Sequence, residues 1–310
     1  MPMDLERVHP QLRRMARRAP RMNVESGIAR GLARFATRRL MRPARVPGVT
    51  VRDVVDGDAR LRLYTPQEPS GSGLVWIHGG GMVIGAPRQD DRFCAETAAE
   101  LGVVIASADY RMAPEHPFPA PQHDCLAVWT WLQRHAEELG VDPARVAVGG
   151  GSAGGGLAAS IVAALHDAGG PRPAAQWLLY PMLDDRTAAR RDLDAIDNFV
   201  WNNEANRFGW GALLLGTARP GDDAVPPAAS PARRQDLAGL PPTWIGVGDI
   251  DLFHDEDVDH ARRLEAAGVP VALAVLAGAP HGFETLGADT EVVREFVTRA
   301  REWLREALDG

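Results

Sequence analysis

From residue 47 onward, apolar runs of three to five residues alternate with longer stretches of helical periodicity, and nothing else in the chain constrains the fold as strongly. The runs at 74–77, 103–106, 146–148, 177–180, 243–247 and 271–275 are rich in Val, Ile and Leu, the signature of strands covered on both faces. Helical patterns lie between and after them, near 88–101, 120–139, 152–167, 254–267 and 289–308. Ahead of the series, 51–55 and 60–64 alternate around Asp56-Gly57 and read as a hairpin. Strand and helix in repeated alternation predict an α/β protein, a sheet with helices on both faces. No internal repeat or low-complexity tract interrupts the series.

Composition removes several chemistries. All 34 cationic side chains among the 310 residues are Arg. Without lysine there is no Schiff-base aldolase, pyridoxal-phosphate enzyme, P-loop NTPase, protein kinase or Ser-x-x-Lys hydrolase. The net charge of −7 is uneven: residues 1–50 hold 12 Arg against Asp4, Glu6 and Glu25, which leaves −16 on the remainder. An acidic body argues against nucleic acid as a partner. The basic N-terminal segment has two readings, a membrane-surface helix or transit peptide, and a pair of amphipathic helices packed on the body. Its three acids and its lack of an apolar core segment favour the second. Leu5, Val8, Leu12 and Met15 would then face inward from one helix, and Ile28, Leu32 and Phe35 from the other. No run approaches the roughly 18 apolar residues of a membrane-spanning helix. Cys94 and Cys125 are the two cysteines and no Cys-x-x-Cys occurs, so free thiols in a reducing, cytoplasmic setting are expected and structural zinc is not.

In α/β sheets chemistry gathers at the carboxyl ends of strands. There the sequence places His78-Gly79-Gly80-Gly81, Gly150-Gly151-Ser152-Ala153-Gly154, Asp249 with Asp251, and His281-Gly282-Phe283. Gly-x-Ser-x-Gly between a buried strand and an Ala-rich helix suits a sharp turn that holds a serine hydroxyl exposed beside a helix amino end. The same glycines also match a dinucleotide fingerprint, Gly149-x-Gly151-x-x-Gly154. That fingerprint wants an acid about 20 residues on, and none stands near Ala174. A nucleophilic serine needs a base and the base an orienting carboxylate. His281 follows the last strand, and Asp251 stands 30 residues earlier at a strand end, with Asp249 and Asp255 as competing acids. Asp255 reads better as a cap in the first turn of the next helix. The glycines after His78 leave backbone N–H groups open to a developing oxyanion.

Together with the segment from Asp109 to Ala120, Tyr180-Pro181-Met182-Leu183-Asp184, and the run Asp251-Leu252-Phe253-His254-Asp255-Glu256, these motifs resemble the hormone-sensitive-lipase family of α/β-hydrolases, bacterial family IV esterases. The resemblance covers the chain from about residue 45. It implies an α/β-hydrolase fold, with a mostly parallel eight-stranded sheet and a helical cap. Residues 1–45 and an insertion at about 185–225, with Phe199, Trp201, Phe208 and Trp210, would build the cap, and 46–310 the catalytic domain. It further implies Ser152 as nucleophile, His281 as general base, Asp251 as its orienter, and the N–H groups of Gly80, Gly81 and Ala153 as the oxyanion hole. His78 and 110–115 would support the site. Members usually carry Asp or Thr before the nucleophile, where this chain has Gly151. The implied activity is hydrolysis of small-molecule esters with short to medium acyl chains, without cofactor or metal. Amide hydrolysis at the same site and ligand binding without catalysis are the alternatives; the family's plant hormone receptors lose the histidine that His281 supplies here. Oligomeric state, a homodimer included, is left open.

Overall fold

Gly57, at a positive φ of 57°, closes the turn between β1 (Val49–Asp56) and β2 (Ala59–Pro66), which pair antiparallel with Val55 opposite Arg60. The computed structural model describes residues 4–19, 23–196 and 198–310; residues 1–3, 20–22 and 197, inside the two expected cap segments, lie outside that description. Beyond the hairpin come β3 (Gly73–Ile77), β4 (Val104–Ala108), β5 (Val146–Gly151), β6 (Gln176–Leu179), β7 (Thr243–Gly248) and β8 (Val271–Leu276). They form one eight-stranded sheet in the order β1-β2-β4-β3-β5-β6-β7-β8. β2 runs antiparallel to both neighbours, and every other pairing is parallel. Fold class and strand positions agree with the sequence expectation.

The two-residue strand period divides the core. Val75 and Ile77 of β3 face one side, with α4 (Ala120–Arg134), α5 (Ala153–Ala168) and α8 (His254–Ala266); Leu74 and Trp76 face the other, with α3 (Asp91–Leu101) and α10 (Glu291–Asp309). On the second side Trp177, Trp244 and Phe296 pack in sequence, with ring centroids 6.4 and 5.5 Å apart. The helix expected over 120–139 ends as a helix at Arg134, and the chain turns from there to Gly140.

The N-terminal segment divides its behaviour. Val8 and Leu12 are buried in the α3/α10 layer beside α1 (Arg13–Arg18), with Leu5 and Met15 packed against it, and the His9 N–H donates to Gly278 O at 2.9 Å. That half meets the packed-helix expectation. On α2 (Gly27–Phe35), however, Ile28, Leu32 and Phe35 are 81, 64 and 56% exposed, so the second expected inward face points outward. The polar flank has taken the body contacts. The Arg34 guanidinium donates to Val83 O, Ala113 O and Glu115, and Arg38, in the helical turn over Ala36–Leu40, pairs with Asp109 at 2.7 Å. In the insertion, α6 (Asp185–Ala189) precedes α7 (Asn203–Leu213), whose amino end is capped by Asn202. Trp201 and Trp210 are buried, and Phe208 is half-buried beneath the Arg30 guanidinium, 4.8 Å above its ring. The last helical turn before α10 is α9 (Phe283–Leu286).

Candidate functional site

β5 leads straight into α5 through one residue, Ser152, at φ 56° and ψ −123°. A non-glycine residue there costs about 1–3 kcal/mol, a strain that surrounding packing must hold. The flanking glycines permit it. A Cβ on Gly150 would lie 2.5 Å from the Gly154 carbonyl and 2.6 Å from Ile77 O, and one on Gly154 would overlap Ile77 O outright. The Ser152 N–H donates to Leu179 O at 2.9 Å, and its carbonyl accepts from Met182 N at 2.9 Å, which ties the turn to β6 and its exit. Gly151 is different: a Cβ there would meet nothing nearer than Tyr180 at 3.8 Å.

Ser152, Asp251 and His281 come together, each under 10% exposed. His281 Nε2 is 2.9 Å from Ser152 Oγ, and its Nδ1 is 2.8 Å from Asp251 Oδ2. Asp251 Oδ1 accepts the Phe253 N–H at 3.0 Å, which fixes the carboxylate. The imidazole is held edge-on by Tyr180 and Phe253, at centroid distances of 4.6 and 5.3 Å. The competing acids are occupied elsewhere. Asp249 accepts the Gly278 N–H at 2.6 Å, and exposed Asp255 pairs with His254 in the first turn of α8, where it caps nothing.

The loop after β3 brings Gly80 and Gly81 to the same cavity, at φ values of 117° and 60°. A Cβ on Gly79 would sit 3.2 Å from Ser152 Cβ, so the loop lies directly against the turn. Gly80 backs onto Ile84 O, and Gly81 onto the Trp201 ring, with no room for a side chain at either. Ala153 opens α5, so its N–H is one of the helix's unpaired amino-end donors. Behind the loop, buried His78 stacks on Tyr110 at 4.3 Å with its Nδ1 2.8 Å from Gly79 O, and Tyr110 Oη donates to His78 O at 3.0 Å. Burial pushes this imidazole down to about 4, so it is neutral and structural.

The cavity beside Ser152, about 210 Å³, also takes in residues whose presence there the sequence did not reveal: Trp76, Asp90, Tyr180, Val200 and Glu284. The Trp76 indole N–H donates to Asp90 at 2.7 Å, and the Tyr180 hydroxyl donates to Glu284. Desolvation, opposed by the Trp76 hydrogen bond and aided by the Glu284 charge, pushes Asp90 up to about 7. Tyr180 stands in a sequence motif, but its reach to Glu284 crosses 104 positions, and no local spacing signals it. Among the described residues, no three His, Cys, Asp or Glu side chains come together as metal ligands.

Comparison with known proteins agrees with the fold. Residues 74–285 match a family model described as alpha/beta hydrolase fold. Carboxylic ester hydrolase LipN of Mycobacterium tuberculosis is 39% identical over 241 residues, 74% of this chain; the match spans 62% of LipN. Ethyl acetate hydrolase of Pseudomonas putida is 34% identical over 80% of this chain and 78% of its own length. Among solved structures, a bacterial heroin esterase superposes with a TM-score of 0.90 at 36% identity, covering 98% of this chain and 99% of that one. An esterase from the bacterial hormone-sensitive lipase family gives 0.80 at 29% identity, covering 97% and 99%. The chain belongs to the α/β-hydrolase family, in its hormone-sensitive-lipase branch, among relatives named as carboxylic ester hydrolases.

Proposed function

We propose that this carboxylic ester hydrolase works as a serine esterase on short- to medium-chain acyl esters, with Ser152 as nucleophile, His281 as general acid and base, and Asp251 as the residue that orients the imidazole. The observation that carries the reading is the continuous hydrogen-bonded line from Ser152 Oγ through His281 to Asp251 Oδ2. His281 Nε2 takes the hydroxyl proton as Oγ attacks the ester carbonyl. The tetrahedral oxyanion is received by the N–H groups of Gly80, Gly81 and Ala153, donors fixed before the charge develops. Collapse expels the alcohol, which leaves with the proton that His281 returns, and an acyl-Ser152 ester remains. Water, deprotonated by the same imidazole, then releases the acid. Asp251 stabilises the imidazolium in both halves of the cycle.

The small cavity supports the shorter end of the substrate range, since drug-sized ligands occupy pockets of roughly 300–1,000 Å³. Trp201, against Gly81, and Trp76 supply apolar lining. The intact Ser152–His281 contact favours turnover over ligand binding without catalysis. Replacing Asp251 tests the assignment against its neighbours. Asp251→Asn is expected to lower kcat for p-nitrophenyl acetate on the order of 10⁴-fold with little change in KM, because the imidazole loses its orienting acceptor. Asp255→Asn is expected to leave kcat within a small factor of wild type. The reverse pattern overturns the choice of acid, and a kcat maximum with long acyl chains overturns the substrate range.

A further inference from the structure

We propose that α2 and the turn that follows it dock the protein on an anionic lipid surface. The helix sits with its amphipathicity reversed. Ile28, Leu32 and Phe35 project from the body, and Leu40, 67% exposed, extends the same apolar surface one turn further. Single exposed apolar residues are ordinary, but four of this size along one short helical run make a patch. The arrangement is anchored by Arg34 on Glu115 and two backbone carbonyls, and by Arg38 on Asp109, so the polar flank is committed to the body and the apolar flank is left outward.

Charge identifies the occupant. Residues 27–45 contain six Arg and no Asp or Glu. Arg39, Arg42 and Arg45 are exposed and have no ion-pair or hydrogen-bond partner among the described residues. Apolar side chains flanked by unpaired arginines fit the boundary of a bilayer with anionic headgroups, where apolar burial and headgroup attraction add. A second copy of this chain fits poorly. Two-fold pairing would set the arginine-rich face against itself, with no acid in either copy of the segment to relieve it. No helix among the described residues is long and apolar enough to cross a membrane, so the contact is one of lying on the surface. The patch is also continuous with the reactive cavity: Met41, next to Leu40, lines it beside Ser152 and Trp201. A protein seated on this face would open its cavity toward molecules held in the lipid.

Vesicle flotation of the full chain tests the proposal, with vesicles of phosphatidylcholine mixed equally with phosphatidylglycerol and vesicles of phosphatidylcholine alone. The expected result is flotation with the mixed vesicles, much weaker flotation with the neutral ones, and release by high salt. Leu32→Ser with Phe35→Ser, and separately Arg39→Ser with Arg42→Ser, should each reduce the floated fraction by about tenfold. None of these four residues lines the cavity, so turnover of soluble p-nitrophenyl acetate and the melting temperature should stay at wild-type values, which shows that the variants are folded. Wild-type protein that stays in solution with mixed vesicles overturns the proposal, as does equal flotation of either variant. So does a dimer, seen by light scattering, that the Leu32→Ser, Phe35→Ser protein converts to monomer, for then a second copy covers the face.

Discussion

Glu256 holds three donors at once: the N–H groups of Leu183 and Asp184 at 2.8 and 3.1 Å, and the Thr187 hydroxyl. It thereby pins the exit of β6 and the start of α6 to α8, one turn beyond Asp251. Burial nevertheless outweighs those hydrogen bonds and pushes its carboxyl up to about 8. A carboxyl raised in the fold favours the native state while it stays protonated. Its contribution is complete below the unfolded-state value, about 4.5, and is lost as pH rises through about 8. Melting followed by circular dichroism should therefore show a decline in stability across that window. Glu256→Gln, uncharged throughout and of the same shape, should flatten the alkaline part of the decline, and an unchanged slope would remove Glu256 as its source. Single residues also mark the limit of what the sequence could tell. Ser152, Asp251 and His281 were readable because each follows a strand, and parallel strands deliver their carboxyl ends to one edge. Gly150 and Gly151 looked alike in sequence but differ in space, the one packed against Ile77 and Gly154 and the other facing open room. The meeting of Asp90, Tyr180 and Glu284 at one cavity depends on loop paths that no local pattern encodes.

At the scale of elements, the hairpin is attached to the layer below it by charge. Arg62 on β2 makes a bidentate contact with Asp91 at 2.6 and 2.9 Å, the Tyr64 hydroxyl donates to the same carboxylate at 2.7 Å, and Asp53 on β1 takes a further Arg62 N–H. Arg62 and Asp91 are both buried, and removing one partner of such a pair leaves the other charge uncompensated. Asp91→Ala should therefore cost about 3 kcal/mol, toward the low end for a buried pair because Asp53 retains its contact. Urea unfolding checks this, and a change below about 1 kcal/mol would mean that water reaches Arg62. The strands were legible as elements because their apolar runs are continuous, and the hairpin because it alternates about Asp56-Gly57. The orientation of α2 was not. Its periodicity correctly marks an amphipathic helix, but periodicity does not say which flank faces the body. Arg34 and Arg38 settle that through acceptors some 70 to 80 positions away, at Asp109 and Glu115.

For the molecule as a whole, the uneven charge acquires a location. The basic N-terminal segment lies on an acidic body, partly through pairs such as Arg34 with Glu115, and keeps exposed arginines, Arg39, Arg42 and Arg45, that have no ion-pair partner among the described residues. The sheet places Ser152, the glycine loop, Asp251 and His281 along its carboxyl edge, and Trp201 from the insertion closes over Gly81. We propose that residues 1–45 and the insertion together form the cap of a catalytic domain spanning 46–310. Catalysis as proposed rests on the Ser152 hydroxyl. Its most direct test is intact-protein mass spectrometry after exposure to a fluorophosphonate, run on wild type and Ser152→Ala with p-nitrophenyl acetate hydrolysis measured in parallel. One adduct is expected, mapped to Ser152 in the wild type and absent from the variant, with turnover reduced on the order of 10⁶-fold. Labelling at another residue, or a Ser152→Ala protein that still hydrolyses the ester at the wild-type rate, would contradict it.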